Sequence, residues 1–217
     1  MQIDPSQHSG ADNYKLLSNL VVPRPIAWVS SLGEHGLVNL APFSFFNAVS
    51  AAPMYVMFSV MQNESGAPKD TERNVRARKE FVVNLVTEDL LDAMNLSAAD
   101  FPPDISEAEA AGLHCAPSVK IATPRIAEAK VSLECALYSE QPLGHYTMFI
   151  GEVVMFHIAD ELLGPRLRVN GFAPLGRMGS PSQYCRTTDA FNTARISYAQ
   201  WLEKNAANPA NPQAGER

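Results

Sequence analysis

Asn39-Leu-Ala-Pro-Phe-Ser-Phe-Phe-Asn47 is an apolar, aromatic run interrupted by a proline and two side chains that need hydrogen-bond partners. A strand buried in a sheet has little use for Pro42, which donates nothing to a ladder, or for Ser44 and Asn47. A strand whose backbone leaves its ladder to face a flat, amphipathic ligand does. Working outward, Pro23 and Pro25 forbid helix and hold Arg24 extended. Ile26-Ala-Trp-Val-Ser-Ser31 then reads as a strand and Gly33-Glu-His-Gly36 as a hairpin turn, with the return strand over 37–41. Two more strands follow, over 43–49 and 54–60, separated by Ser50-Ala-Ala-Pro53.

Beyond the polar segment 62–68, Asp70 or Thr71 can cap a short helix running to about Arg78. Glu80-Phe-Val-Val-Asn-Leu-Val86 is a strand, and Thr87 starts a helix with Leu90, Leu91 and Met94 on one face. Ser106-Glu-Ala-Glu109 has the spacing of a capping box before a helical turn or two that Gly112 ends. Val131, Leu133, Cys135 and Leu137 alternate as a half-buried strand, Gly144 turns the chain, and 146–158 forms another long strand. Near the end, Asp189 reads as the cap of a terminal helix with Phe191, Ala194, Tyr198 and Trp201 on its face. Strands at hairpin spacing dominate and strand–helix alternation is missing, which points to an antiparallel barrel with peripheral helices rather than a doubly wound sheet.

The totals narrow the function classes. A 217-residue chain that is 46% hydrophobic can fill one sizeable core. A net charge of -6 argues against a nucleic-acid partner, whose phosphates want a basic excess. Cys115, Cys135 and Cys185 are odd in number and widely spaced, so neither a disulfide framework nor a zinc site is expected. The polar start of the chain and the lack of any apolar run near 20 residues lead to the expectation of a soluble, cytoplasmic protein with no membrane partner. No Rossmann, P-loop, nucleophile-elbow or zincin motif occurs. The five histidines offer no metal spacing.

What remains is a set of groups suited to a phosphorylated heterocycle. Lys69, Asp70 and Thr71 put an ammonium, a hydroxyl and backbone N–H groups at a helix start, which suits a phosphate oxygen or an ordinary solvated cap. Arg24 in its rigid segment suits an anion or plain solvent, and Ser30 suits a phosphate or a turn. Ser44 and Asn47, beside Phe43, Phe45 and Phe46, can edge a heterocycle or satisfy local backbone.

Four segments in order now carry a resemblance: 24–31, 39–47, Lys69-Asp-Thr-Glu-Arg-Asn74 and Glu80-Phe-Val-Val-Asn-Leu85. With Gly144-His145, Ile150-Gly-Glu-Val153 and Pro174-Leu-Gly-Arg-Met-Gly179, the chain resembles the flavin reductase-like FMN-binding split-barrel family across about residues 14–190. The resemblance implies a mainly β fold, a six-stranded antiparallel Greek-key split barrel with peripheral helices. Its domain would run over 13–203, with flexible tails at 1–12 and 204–217. It further implies a homodimer binding FMN, with NADH or NADPH as reductant and a monooxygenase as a further partner. On this reading Arg24, Ser30, Lys69, Thr71 and Asn74 hold the phosphate, with Asp70 among the cofactor-binding residues. Ser44, Phe45, Phe46 and Asn47 meet the isoalloxazine largely through backbone. Arg177, Met178 and Tyr184 belong to the segment that closes over the flavin, and His145 matches a histidine near the nicotinamide. The chain departs from the pattern at Ser180-Pro-Ser, and an acidic insertion over 101–109 faces the substrate side. The activity implied is NAD(P)H:flavin reductase; an FMN-binding electron carrier without a nicotinamide site and a purely structural barrel are the other classes in view.

Overall fold

The structure is a computed structural model that describes residues 1–63, 65–179 and 181–206. Ser180 and the expected tail from residue 207 onward lie outside the described residues. Seven strands form one sheet: β1 (Ala27–Leu32), β2 (Val38–Phe43), β3 (Phe46–Ala51), β4 (Met54–Met61), β5 (Glu80–Asn84), β6 (Val131–Leu143) and β7 (Tyr146–Ile158). Their order is β2-β1-β5-β6-β7-β4-β3, every neighbouring pair being antiparallel. The result is the expected mainly β split barrel, with one strand more than the six anticipated. The extra strand arises at Ser44 and Phe45, where the extended chain leaves β2 on one edge of the sheet and resumes as β3 on the other.

Burial explains why β1 and β5 are nearly continuous apolar runs. Alternate side chains of β1 enter two different cores, and Phe81 and Val83 of β5 enter the first. Ala27, Val29, Val83 and Phe81 face the barrel interior, where Phe58 packs against Phe81 (ring centroids 5.0 Å apart) and Phe149 (5.5 Å). Trp28 and Ile26 face outward into a second core with Met94, Ile126 and Leu175, and the Trp28 indole donates to Ser97 Oγ at 2.8 Å.

The helices hold the barrel's rim. α1 (Gly10–Leu20) is capped by Ser9, whose hydroxyl accepts from the Asp12 N–H at 3.1 Å, so helix begins inside the segment read as a tail. α2 (Asp70–Arg78) ends where Lys79 turns left-handed (φ 59°) and the strand β5 begins. α3 (Leu91–Leu96) follows a short 3-10 turn, with Leu90 and Met94 buried as the periodicity requires. α4 (Glu107–Ala110) is a single turn, and its capping box does not form. Ser106 instead donates to the Val38 carbonyl (2.7 Å) on the nearby β2 edge. The Glu107 carboxylate accepts from the Leu40 N–H in that same strand (2.9 Å). Residues 188–206 form a separate unit in which α5 (Tyr198–Ala206) starts nine residues later than Asp189. Ser197 caps it by accepting from Gln200, and Tyr198 stacks on Trp201. No helix among the described residues is long and apolar enough to cross a membrane.

Two glutamates, the half-buried Glu80 and the buried Glu134, pin the irregular segment 118–124 to the sheet. Glu80 accepts from the Ala122 and Thr123 N–H groups. Glu134, with no exposed surface, accepts from the Val119 and Lys120 N–H groups (2.7 Å each) and lies 2.5 Å from His157 Nε2. Burial pushes the Glu134 carboxyl up, but the His157 contact and the two N–H donors outweigh it and hold the pKa below its ordinary value. A depressed carboxylate contributes stability above its unfolded pKa of about 4.3, and that contribution is lost as pH falls through the lower folded value. Glu134→Gln is therefore expected to cost about 1–2 kcal/mol at neutral pH and to flatten the acid limb of the stability profile below pH of about 4. Urea titrations from neutral to acid pH check this; an unchanged acid limb would show that the carboxylate's charge is not what holds the segment.

Candidate functional site: a trough along strand β2

Four cavities adjoin along β2 and the Ser44–Phe45 break that follows it. One of about 540 Å³ lies between the break and the chain's return segment, lined by Ser44, Met94, Asn95, Arg177 and Tyr184. A narrow one of about 180 Å³ lies by Phe45, Tyr146 and Lys69. A third of about 520 Å³ is lined by Lys69, Asp70, Thr71 and the loop 97–101. Pro42 lines all three. A proline there leaves no N–H to satisfy where the strand abandons its ladder. The fourth cavity, about 360 Å³, continues past Asn39 and Glu107 toward the β1–β2 turn.

The aromatic part of the trough is a short ladder. Phe45 stacks on Tyr146 (centroids 5.8 Å, planes 15° apart) and leans on Tyr14 of α1 (6.2 Å). The Phe45 carbonyl accepts from Ser59 N at 2.9 Å, so this part of the backbone is already engaged by β4. The part that offers an ammonium is the start of α2. Lys69 occupies the cap position without a side-chain hydrogen bond to the helix and lines both the narrow cavity and the larger one beside it. Its ammonium pairs with Asp100 at 3.3 Å, an ion pair with Asp100 almost fully exposed. Thr71 is buried, and its hydroxyl accepts from Asn39 Nδ2 (2.9 Å), leaving the hydroxyl proton to donate. Asp70 in the same turn pairs with Arg73.

Several expected site residues are placed otherwise. Arg24 is 6% exposed and acts as a bracket: its guanidinium donates to the Ser18, Val21 (2.8 Å) and Met178 (3.0 Å) carbonyls and reaches Ser44 Oγ at 3.4 Å. It ties α1, the break and the return segment together, with its donors turned to backbone rather than to an anion. Ser30 is fully buried, donating to Pro124 O (2.7 Å), and is not brought to the trough. Phe46 belongs to the barrel core, and Asn47 lies exposed on β3 with its amide oxygen on the Ala48 N–H. Asn74 donates to Ser31 Oγ and lines only the fourth cavity. His145 is exposed at the β6–β7 turn, lining none of the four cavities, though its neighbour Tyr146 does.

The return segment closes the trough from within the same chain. Gly176–Arg177 pairs with both Arg24–Pro25 and Tyr184–Cys185 in a three-stranded ribbon. Arg177 donates to the Tyr184 hydroxyl at 2.7 Å, stacks on its ring at 4.8 Å, and Tyr184 donates onward to Asn95 Oδ1 at 2.6 Å. Met178 takes part through its backbone alone, accepting from Arg24 and donating to Gln183 O. Asn95, Tyr14 and Tyr146 escaped the sequence reading. Tyr146 sits one residue past the quoted Gly144-His145, but an isolated tyrosine or asparagine carries no pattern of its own.

A trough with aromatic walls at one end and a lysine over a helix start at the other fits a planar, phosphorylated ligand, and comparison with known proteins agrees in kind. Residues 18–176 match the family described as flavin reductase like domain. The chain belongs to that family. A protein of Aquifex aeolicus is 42% identical to it over 82% of this chain and 92% of its own length. Among solved structures, nitrilotriacetate monooxygenase component B from Bacillus cereus superposes with a TM-score of 0.85 at 36% identity, covering 89% of this chain and 98% of that one. Pseudomonas fluorescens 2-nitrobenzoate 2-nitroreductase NbaA does so with 0.83 at 38% identity, covering 91% and 98%. Membership supports reading the chain as an oxidoreductase of the flavin reductase family, with the trough as its candidate site.

Proposed function

We propose that the protein is an FMN-dependent oxidoreductase that takes hydride from NADH or NADPH and delivers the electrons to a second acceptor. The observation that carries this reading is Lys69, which lines both the narrow aromatic cavity and the helix-start cavity, as a group binding one end of a phosphorylated ring system must. Bound FMN would supply the redox chemistry, accepting hydride from the nicotinamide and passing electrons on. The chain's own work is binding and positioning. Lys69, Thr71 and the first turn of α2 would hold the phosphate, where ammonium, hydroxyl and helix dipole act together. Ser44 and the backbone at the β2 break would set the ring edge, while Tyr14, Phe45 and Tyr146 exclude water. The chain Arg177–Tyr184–Asn95 would hold the return segment across the other side. His145 is assigned the rim, where it would meet the nicotinamide, and no side chain is needed as acid or base.

A homodimer is part of the proposal. Val49, Met54 and Met61, on or flanking the open β3 edge, are 44–53% exposed, a surface suited to a second copy. For the acceptor, the 36%-identical monooxygenase component supports transfer to a partner monooxygenase, and the 38%-identical nitroreductase supports a nitroaromatic compound. The test is anaerobic stopped-flow oxidation of NADH and NADPH by FMN-loaded protein, then addition of free flavin or 2-nitrobenzoate. Reduction well above the free-flavin rate is expected. FMN binding without any such acceleration would leave the electron-carrier reading instead, and failure to bind FMN at all would sink both.

A further inference from the structure

We infer that residues 163–170 form a knuckle that seats in the fourth cavity of a second copy of this chain. A bridge between Leu163 and Val169 closes the base of the knuckle, and the Gly164 N–H donates to the Arg168 carbonyl at 2.7 Å. The Asn170 N–H donates to the carbonyl of Leu162 (2.9 Å), whose side chain is anchored in the barrel core. At the tip, Arg166 and Leu167 both lie in the left-handed backbone region, with φ of 58° each. Two consecutive residues with side chains are costly there, and such strain persists only where the surrounding structure imposes it. What the strained tip presents is Leu167, 81% exposed, between two exposed arginines, Arg166 and Arg168. Neither arginine is in an ion pair among the described residues. An exposed leucine is ordinary on its own, but one held out by strained backbone between two unpaired cations is shaped to dock.

The fourth cavity supplies the complement, and no residue of 163–170 lines it within its own chain. Leu32, Leu37, Pro102, Pro103 and Ile105 give apolar surface in a space of about 360 Å³, room for a leucine and the stem of an arginine. The arginines of the lining are already engaged, Arg73 with Asp70 and Arg78 with the Gly33 carbonyl at 3.0 Å. Glu34 and Glu107 have no cation partner among the described residues. Charge is segregated along the chain in the same sense. Residues 80–119 carry aspartates and glutamates but no lysine or arginine, while residues 162–188 carry Arg166, Arg168, Arg177 and Arg186 but no acid. A basic, apolar knuckle and an acidic, apolar cavity on one chain favour a second copy as the occupant, and exchange in both directions about a two-fold axis closes a dimer. The inference rests on the homodimer reading and adds to the β3 edge a contact between side chains. Because the fourth cavity shares Asn39, Asp70, Arg73 and Glu107 with the helix-start cavity, a seated knuckle would close that end of the trough.

The test compares sedimentation velocity of the full chain with that of Leu167→Gly and of the charge reversal Arg166→Glu/Arg168→Glu. Glycine accepts the left-handed backbone, so Leu167→Gly removes the side chain and keeps the fold, which a thermal midpoint no lower than wild type confirms. Both variants are expected to weaken self-association by about tenfold or more, and high salt should weaken the wild type toward the charge reversal. In a second measurement Leu167→Cys is mixed with Ile105→Cys, a cavity residue that is 44% exposed, in the presence of oxidised glutathione. A disulfide-linked pair that neither variant forms alone is expected, because the bond requires the two backbones to approach closely. Unchanged association in both variants with no cross-link leaves the homodimer to another face and overturns the knuckle contact. Weakened association without the cross-link places the knuckle on a different surface and overturns it equally. A wild-type chain that stays monomeric at about 100 μM removes the homodimer reading along with it.

Discussion

Arg24→Ala is expected to lower stability by about 4 kcal/mol and to free the return segment from the trough. The guanidinium donates to carbonyls at Ser18, Val21 and Met178, which belong to the end of α1 and to the ribbon around Arg177. Removing it leaves those acceptors without their charged donor at a site where Arg24 is 6% exposed. Charged hydrogen bonds contribute about 1.5–3 kcal/mol each, and their shared loss is less than additive, which sets the figure. Arg24→Lys should recover little, because one ammonium lacks the planar fork that spans two segments. Urea denaturation with limited proteolysis of residues 174–185 reads both effects. A variant of unchanged stability that loses FMN alone would return Arg24 to the phosphate-binding role expected of it from sequence.

Lys69→Ala is expected to weaken FMN by about 10–100-fold while leaving riboflavin, which lacks the phosphate, within about twofold. The ion pair with Asp100 does not much reduce this effect. Asp100 is 93% exposed in its side chain and Lys69 37%, so exchanging that carboxylate for a phosphate forfeits at most about 1 kcal/mol. Ser44→Ala should weaken FMN only about two- to threefold, since its hydroxyl meets Arg24 at the long distance of 3.4 Å and the ring edge is mostly main chain. Fluorescence titration of both flavins separates the two ends of the ligand. If Ser44→Ala proves the more damaging for FMN and Lys69→Ala weakens riboflavin equally, the phosphate lies elsewhere.

The strands and the short helices were legible because their signals are local. The Gly33–Gly36 turn, the strand from Glu80 and the Leu90/Met94 spacing each declare themselves within a few residues, and each is found, the strand ending at Asn84 rather than Val86. The trough's central segment was legible in part. Ser44 marks the point where β2 leaves one edge of the sheet, inside the strand expected over 43–49, while Pro42 keeps its register against Trp28 within β2. The failures are of one kind. Ser106 had the spacing of a capping box, yet its hydroxyl goes to Val38, and Asp189 had the chemistry of a cap, yet the helix starts after Ser197. A cap motif states what a side chain can do locally and is silent on a competing partner brought in by the fold.

Ser30 and Arg24 sharpen the same point. Residue type and setting left both open, and the family resemblance implied phosphate contacts for them. Ser30 bonds Pro124, 94 residues away, and Arg24, besides Ser18 and Val21 nearby, reaches Met178, 154 residues away; no spacing rule reaches that far. The amino-acid sequence by itself determined the strand-rich barrel, the Lys69–Thr71 helix start and the family. Only the tertiary structure decided which polar groups face the trough and which are consumed in building it. Burial removes water as the default partner, so each enclosed donor must take whatever acceptor the fold delivers, however distant in the chain.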